Sequence, residues 1–409
     1  MASRKDRNGQ VLQRCEYQRN DGRYTFAFTN DEHKRIYVYA NTLDELRKKE
    51  RVILMSSWEG VAKIGEKITL NLLYDRSMQL KTGLKKSTYS SYRQMWDNHV
   101  RNGFGKREID GIRYSDVLSF YNYLLYEKKL AIKSVQHIHA QLSSSFKLAV
   151  QDGLLQRNPT DGCYGHIKRQ SGLYERKIRA LTLREQKAFI EFLDGHPVWG
   201  RYHSIFAVML GTGLRVGELC GLTWNDINLT DRTINIDHSL VYIKAVKGES
   251  KDRITITTPK SRCGVRKVPM MPQVIEALRE EYQIAKAKKF KTVTIDGYKD
   301  FVFTQRTGNT YTCHRLDKAL SDIVAAYNKQ EEAIAVIEKR KPFLLPHISN
   351  HMLRHTFCTR LCERDVNVKV IQTIMGHASV NITLDIYAEV SREKQFEEIT
   401  KLANELDVF

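Results

Sequence analysis

Nowhere in its 409 residues does this chain hold an apolar run near the roughly 18 residues that a membrane span requires. It opens on "MASRKDRNGQVLQRCEYQRNDGR", basic and polar with no apolar core, so no secretory signal is visible and a reducing cytoplasm is the expected compartment. The cysteines agree. Seven of them are scattered at 15, 163, 220, 263, 313, 358 and 362, with no Cys-x-x-Cys pair, which argues against a disulfide framework and a paired zinc site. Cys358 and Cys362 stand four apart beside His355, and without a second ligand pair they read as buried apolar cysteines. Internal repeats and low-complexity segments are also missing. Acid is short: 47 Asp and Glu face 66 Lys and Arg, a net charge of +19. That balance implies a polyanion partner, either nucleic acid or an anionic membrane surface. The basic residues lie within foldable segments rather than in a tail, which suits folded domains around a phosphate backbone.

What is present divides into three pieces, as expected for a length well beyond one domain of about 100–200 residues. Residues 1–60 carry two aromatic and β-branched runs, "RYTFAF" (23–28) and "RIYVYA" (35–40), joined by a polar "TNDEHK" hairpin loop. A helix follows, capped by Asn41 or Thr42 with Glu45 completing the box. A small sheet with aromatic and basic residues fits a DNA groove; a minor protein–protein module is the other reading. Residues 61–172 read as four short amphipathic helices, "LNLLYDRSMQL", "STYSSYRQMWDNHV", "RYSDVLSFYNYLLYEKKL" and "IKSVQHIHAQLSSSFKLAVQ", with Ser87 and Ser115 as expected N-caps. The piece carries a net charge of about +9, suited to clamping a duplex. "NPTDG" (158–162) breaks it. Residues 173–409 mix helices with the β-like runs "TINIDHSLVYI", "RITITTP" and "VRKVPM"; a second capping box joins Thr182 to Glu185. The expected class is multidomain, mainly α with small β-sheets.

Four segments of the last piece carry chemistry. In "GTGLRVGELCGL" the glycines miss the dinucleotide fingerprint, because Gly211, Gly213 and Gly217 give G-x-G-x-x-x-G and no strand precedes them. Arg215 remains, at a helix start with Glu218 on the same face, inside an apolar stretch where a charge needs a partner or a function. Small neighbouring glycines would let a large anion approach. "TPKSRCGVRKVPM" (258–270) reads as a hairpin tip that can place the Lys260 ammonium beside a phosphate oxygen. In "SNHMLRHTF", His351, Arg354 and His355 share one helix face. The zinc-protease reading fails because Met352 stands where His-Glu-x-x-His needs glutamate, and Arg354 would repel a cation. In "IQTIMGHASVNITLDIYAEV", Gly376 closes a helix, His377 follows, and Tyr387 stands ten residues further on. The set suits an attack on a phosphodiester. Arginines hold the phosphate and stabilise its extra charge. A tyrosine attacks covalently. Free tyrosine has a pKa near 10, so about one in a thousand is ionised at pH 7, and a positive site with a nearby imidazole lowers that cost. Lys260 can protonate the departing sugar oxygen.

The order Arg215, Lys260, His351-x-x-Arg354, Gly376-His377, Tyr387 resembles the tyrosine recombinases, the phage-type integrases, and most resembles those of conjugative transposons. The resemblance covers most of the chain. It implies an arm-binding domain at 1–60, a helical core-binding domain with a SAM-like fold at 61–172, and a catalytic domain at 173–409 that ends in an exchange helix. It makes Arg215, Lys260, His351, Arg354, His377 and Tyr387 the catalytic set, with Tyr387 the nucleophile and Glu218 and His355 supporting. It implies a site-specific recombinase that integrates and excises a mobile element through a 3′-phosphotyrosine and a Holliday junction, with neither metal, ATP nor cofactor. The implied partners are double-stranded DNA at core and arm sites, three further copies in a homotetramer, and an excisionase or host DNA-bending protein; the implied place is bacterial cytoplasm, on DNA. A type IB topoisomerase shares the arginines, lysine and tyrosine but exchanges no strands, and a DNA-binding regulator has no use for the set. The chain departs from the family's usual pattern in Met375 before Gly376-His377, where leucine is usual, and in an insertion over 328–346.

Overall fold

The computed structural model describes residues 4–13, 15–29, 35–56, 68–171, 179–243, 245, 252–259, 262–287, 293–388 and 390. The chain forms two compact units, Met1–Glu175 and Arg176–Phe409.

The first unit begins with an antiparallel sheet of β1 (Glu16–Gln18), β2 (Tyr24–Thr29) and β3 (Arg35–Ala40) in the order β1-β2-β3. Strand β1 was not legible in sequence; three residues show too little alternation. The pleat sends Tyr24, Phe26 and Ala40 inward against Leu43 and Leu46 of α1 (Leu43–Ser56). The opposite face carries exposed Tyr17, Tyr37 and Tyr39, with Tyr17 level with Thr25 and Thr25 level with Tyr39. Guanidinium groups of Arg4, Arg35 and Arg19 lie 5.1, 5.9 and 5.2 Å from the rings of Tyr17, Tyr37 and Tyr39. The expected cap is present: Thr42 Oγ1 accepts from the Glu45 N–H at 3.2 Å, and Glu45 Oε2 accepts from the Asn41 N–H at 3.2 Å.

Five helices follow: α2 (Leu70–Leu80), α3 (Lys86–His99), α4 (Tyr114–Asn122), α5 (Ile132–Gln151) and α6 (Cys163–Ser171). Their core is aromatic and aliphatic, with Trp96 stacked on Tyr74 at 3.8 Å and Val117, Ile138, Leu142 and Phe146 fully buried around them. The caps differ from the sequence reading. Helices α3 and α4 start after Lys85 and Arg113, so Ser87 and Ser115 fall inside the first turn. At α4 a carboxylate does the capping, Asp116 Oδ2 accepting from the Arg113 N–H at 2.9 Å. Helix α6, after the Asn-Pro and Asp-Gly break, was not expected.

The second unit holds α7 (Leu183–Leu193), α8 (His203–Thr212), α9 (Val216–Gly221), β4 (Ile227–Asn228), β5 (Thr233–Ile236), β6 (Ser239–Ile243), β7 (Arg253–Thr257), β8 (Arg266–Pro269), α10 (Pro272–Ala287), α11 (Cys313–Ile337), α12 (Asn350–Glu363), α13 (Val368–Met375) and a helix α14 over 380–388. The Thr182–Glu185 box caps α7 as expected, at 3.2 and 2.8 Å. Seven of the ten α8 residues are buried, the apolar ones in one core with Phe189, Ile234, Val268, Phe301, Leu320 and Leu353. Strand pairing corrects the hairpin reading of 258–270. Strand β7 pairs with β6, and β8 pairs with β5 in the order β4-β5-β8, so the connection from β7 to β8 is a crossover between two sheets and not a hairpin. Alternation shows that a run is a strand but not which strand lies beside it.

The 328–346 insertion is the end of α11 and a return segment tied back to it. Asn328 exchanges two hydrogen bonds with the Leu345 backbone, at 2.7 and 3.0 Å. Glu331 accepts from the Phe343 N–H at 2.8 Å and pairs with Arg340. Among the described residues no helix is long and apolar enough to cross a membrane.

Candidate active site

The site is assembled from helix ends. Helix α8 stops at Gly213, whose φ of +62° is the left-handed conformation that glycine adopts without strain. A Cβ there would also lie 2.4 Å from Phe357 Cδ1 and 2.9 Å from Met375 Sδ. The glycines of this segment therefore admit the chain's own packing; Gly217 likewise lies against Ser239 and Leu240 of β6. This replaces the expectation that they make room for an anion.

The turn sets Arg215 as the N-cap of α9. Glu218, one turn on, accepts from the Arg215 N–H at 2.9 Å and from Arg215 Nη1 at 2.7 Å. The pair bridges surface and interior: the Arg215 side chain is 44% exposed and that of Glu218 6%. A second guanidinium meets it from β8: Arg266 donates to both carboxylate oxygens, at 3.0 and 2.8 Å. Burial alone would raise the Glu218 pKa, but Arg266 and Arg215 together hold it below the usual carboxylate value.

The third guanidinium, Arg354 of α12, is 3% exposed and donates through Nη1 to the Gly213 carbonyl at 2.6 Å. Burial first, and the Arg215 charge second, bring it down to about 9, so it stays charged at pH 7. The three arginines converge on one end of α13. Arg266 Nε donates to the Ile374 carbonyl at 2.6 Å, Arg354 Nη2 to that of Met375, and Arg215 Nη2 to that of Gly376 at 2.8 Å. These are carbonyls that a helix C-terminus leaves without intrahelical partners, at the negative end of its dipole. Gly376 closes α13 in the left-handed conformation, as the sequence suggests.

Two imidazoles sit beside these cations. His351, at the start of α12, is open to solvent, and its pKa is lowered by partial burial and then by Arg354 and Arg215. His377 is buried, with Nδ1 2.9 Å from Thr383 Oγ1. Burial, followed by the charges of Arg354, Arg215 and Arg266, lowers it to about 4, so its ring is neutral at pH 7. His355 is half-buried, its Nδ1 3.4 Å from Thr359 Oγ1. Tyr387 is half-buried on α14, next to Ile386, and packs on the cluster of Phe357, Cys358, Cys362, Ile371 and Met375 from α12 and α13. Both cysteines are buried there, as expected. Lys260 and the segment 391–409 lie outside the described residues.

Arg215, Glu218, His351, Arg354 and His377 are thus brought together. Tyr387 is placed on the helix that follows His377, against α12 and α13. Sequence reasoning missed Arg266 and Thr383. Alternation in "VRKVPM" carried the signal for the first, since it puts Arg266 on the buried face with Val268. Among the described residues one group of possible metal ligands lies close together, Asp226, Asp237 and His238. Both His238 nitrogens there already face oxygens, of Asp237 at 2.6 Å and of the Gly221 carbonyl at 2.7 Å.

Residues 179–394 match the model of the "Phage integrase family". The chain belongs to that family. It is a tyrosine-type site-specific recombinase, an integrase of the conjugative-transposon kind. Residues 1–55 of the integrase match a second family, described as the "DNA binding domain of tn916 integrase". Its relatives include the transposase from transposon Tn916 of Enterococcus faecalis, 29% identical, the match covering 98% of this chain and 97% of the relative. A XerC-like tyrosine recombinase of Caldanaerobacter subterraneus is 27% identical, covering 93% and 96%. Among solved structures, the integrase of transposon Tn1549, in complex with transposon right-end DNA, is 28% identical with a TM-score of 0.69. That match covers 82% of this chain and 100% of the solved one.

Proposed function

We propose that this integrase cuts and rejoins duplex DNA with Arg215, Lys260, His351, Arg354, His377 and Tyr387 as its catalytic groups and Glu218 and His355 in support. The observation that carries the reading is the convergence of Arg215 and Arg354 on one helix end beside two imidazoles, with Glu218 the carboxylate among the three guanidiniums. Such a site is electropositive and has room in its charge balance for one phosphodiester. Tyr387 Oη attacks phosphorus, the bond to the 5′ oxygen breaks, and Lys260 gives that oxygen a proton. The product is a 3′-phosphotyrosine and a 5′-hydroxyl, which then attacks the phosphotyrosine of another duplex. The covalent link keeps the bond energy, so the exchange needs neither metal nor ATP. His377, neutral at pH 7, accepts or shares the tyrosine proton rather than adding charge.

The division of labour follows the chain. Residues 1–60 form the arm-type DNA-binding domain, supported by the tyrosine and arginine face of the N-terminal sheet. Residues 61–172 bind the core site and 173–409 carry the chemistry. Four protomers act in pairs through a Holliday junction, and the tail after Tyr387 docks on a neighbour and couples the active sites. An excisionase or a host DNA-bending protein sets direction. A two-site strand-exchange assay run beside supercoil relaxation tests the reading: joined recombinant products support it, and relaxation without exchange contradicts it.

A further inference from the structure

One side chain left without a task by that scheme is Arg266. It is an arginine in the unit's interior, 6% exposed, on a strand whose neighbours Lys267 and Pro269 face out. Arginine is among the residues least often buried, and a buried ion pair adds little stability over apolar side chains of the same volume. Stability alone is therefore a poor reason for its place.

Its contacts show a better one. Nη1 and Nη2 hold the two oxygens of Glu218 on α9, Nη1 also reaches the Gly264 carbonyl at 3.3 Å in the crossover, and Nε donates to the Ile374 carbonyl on α13 at 2.6 Å. The first and last of those segments lead to Arg215 and His377, and Lys260 stands four residues before Gly264 in the sequence. The same Glu218 oxygen that accepts from Arg266 Nη1 at 3.0 Å accepts from Arg215 Nη1 at 2.7 Å, so a shift of one guanidinium moves the other. The crossover lies close against the turn that precedes His377: a Cβ on Gly376 would be 2.9 Å from the Cys263 carbonyl oxygen and 3.1 Å from Arg266 Cδ. Wrapped in this way, Arg266 has no path to a substrate.

We infer that Arg266 is a positioning residue: it locks the Glu218 carboxylate that aims Arg215, and it ties the crossover at Gly264 to the helix end that precedes His377. This rests on the catalytic assignment proposed above. Three guanidiniums, of Arg354, Arg215 and Arg266, and the titratable His351 ring act on His377. Removing the Arg266 charge therefore moves the titration of the His377 ring upward.

The test uses the full chain and a nicked core-site duplex that traps the covalent protein–DNA complex. Arg266→Met, Arg266→Lys, Glu218→Gln and the double variant Arg266→Met with Glu218→Gln are compared for DNA affinity, trapping rate and its dependence on pH. Arg266→Met is expected to bind DNA within a few-fold of the parent and to trap it about a hundredfold more slowly, as when an oriented donor set is lost. Its acid limb moves to higher pH, which a purely structural loss would not produce. Arg266→Lys keeps the charge but not the fork, so it recovers part of the rate and leaves the acid limb in place. The double variant is no slower than the slower single, because both changes break one unit. If Arg266→Met does not fold, Arg266→Lys decides: slower trapping at parental DNA affinity supports the inference, and parental trapping overturns it. Parental trapping with an unmoved acid limb in Arg266→Met overturns the inference, as do losses that multiply in the double variant. Tyr387→Phe is run in parallel: a covalent complex from that protein would refute the catalytic assignment, a result distinct from either outcome for Arg266.

Discussion

Arg215 Nη2 donates to the Gly376 carbonyl at 2.8 Å, joining residues 161 apart in the chain. The same guanidinium pairs with Glu218 through Nη1, so its plane is fixed at two edges before substrate arrives. A lysine carries all its donors on one nitrogen and lacks the planar fork by which Arg215 reaches both acceptors from separate nitrogens. Arg215→Lys is expected to lower the rate of covalent-complex formation about a hundredfold while DNA affinity changes by only a few-fold. Affinity and trapping measured on the same core-site duplex check this.

Gly213→Ala is expected to destabilise the catalytic unit. The left-handed φ of +62° is strained for alanine, and the new methyl carbon would meet Phe357 and Met375. A cost of about 2 kcal/mol or more is expected, visible as a lower denaturant midpoint with an unchanged slope.

His377 gives stability a pH dependence. Its folded pKa of about 4 lies below the ordinary 6.5, so the unfolded chain binds the proton more readily. The contribution is complete above pH 6.5 and falls away as pH drops toward 4, to a loss on the order of 3 kcal/mol. Urea titrations across that range should show the fall, and His377→Asn should flatten it.

On the N-terminal sheet, Tyr39→Ala removes an exposed ring and leaves the Tyr24, Phe26 and Leu46 core untouched. Arm-site DNA binding should weaken about fivefold with core-site cleavage unchanged, the loss of roughly 1 kcal/mol of contact. Binding by the whole chain should also fall steeply with salt, since each phosphate contact releases counterions. Gel-shift titrations on arm and core duplexes at several salt concentrations separate the two effects.

Much of this was legible in sequence because the signals are local. The boxes at Thr42–Glu45 and Thr182–Glu185 and the αL cap at Gly376 each depend on residues within one turn, and each is present. The four helices of 70–151 follow from their periodicity, though the cap at α4 went to Asp116 and not to a serine. Long-range pairing was not legible: β7 and β8 lie eight residues apart and join different sheets. The site divides in the same way. The residue types and spacings at 215, 351, 354, 377 and 387 name the chemistry. That three arginines would share three consecutive carbonyls depends on contacts across more than a hundred residues for two of them.

The central claim is that Tyr387 is the nucleophile, and the direct measurement is the identity of the residue that DNA becomes attached to. Trapping the parent chain on a nicked core-site duplex, digesting it and sequencing the nucleotide-linked peptide should place a 3′-phosphate on Tyr387, with no adduct from Tyr387→Phe. A linked peptide centred on any other residue, or an undiminished adduct from Tyr387→Phe, would contradict the account.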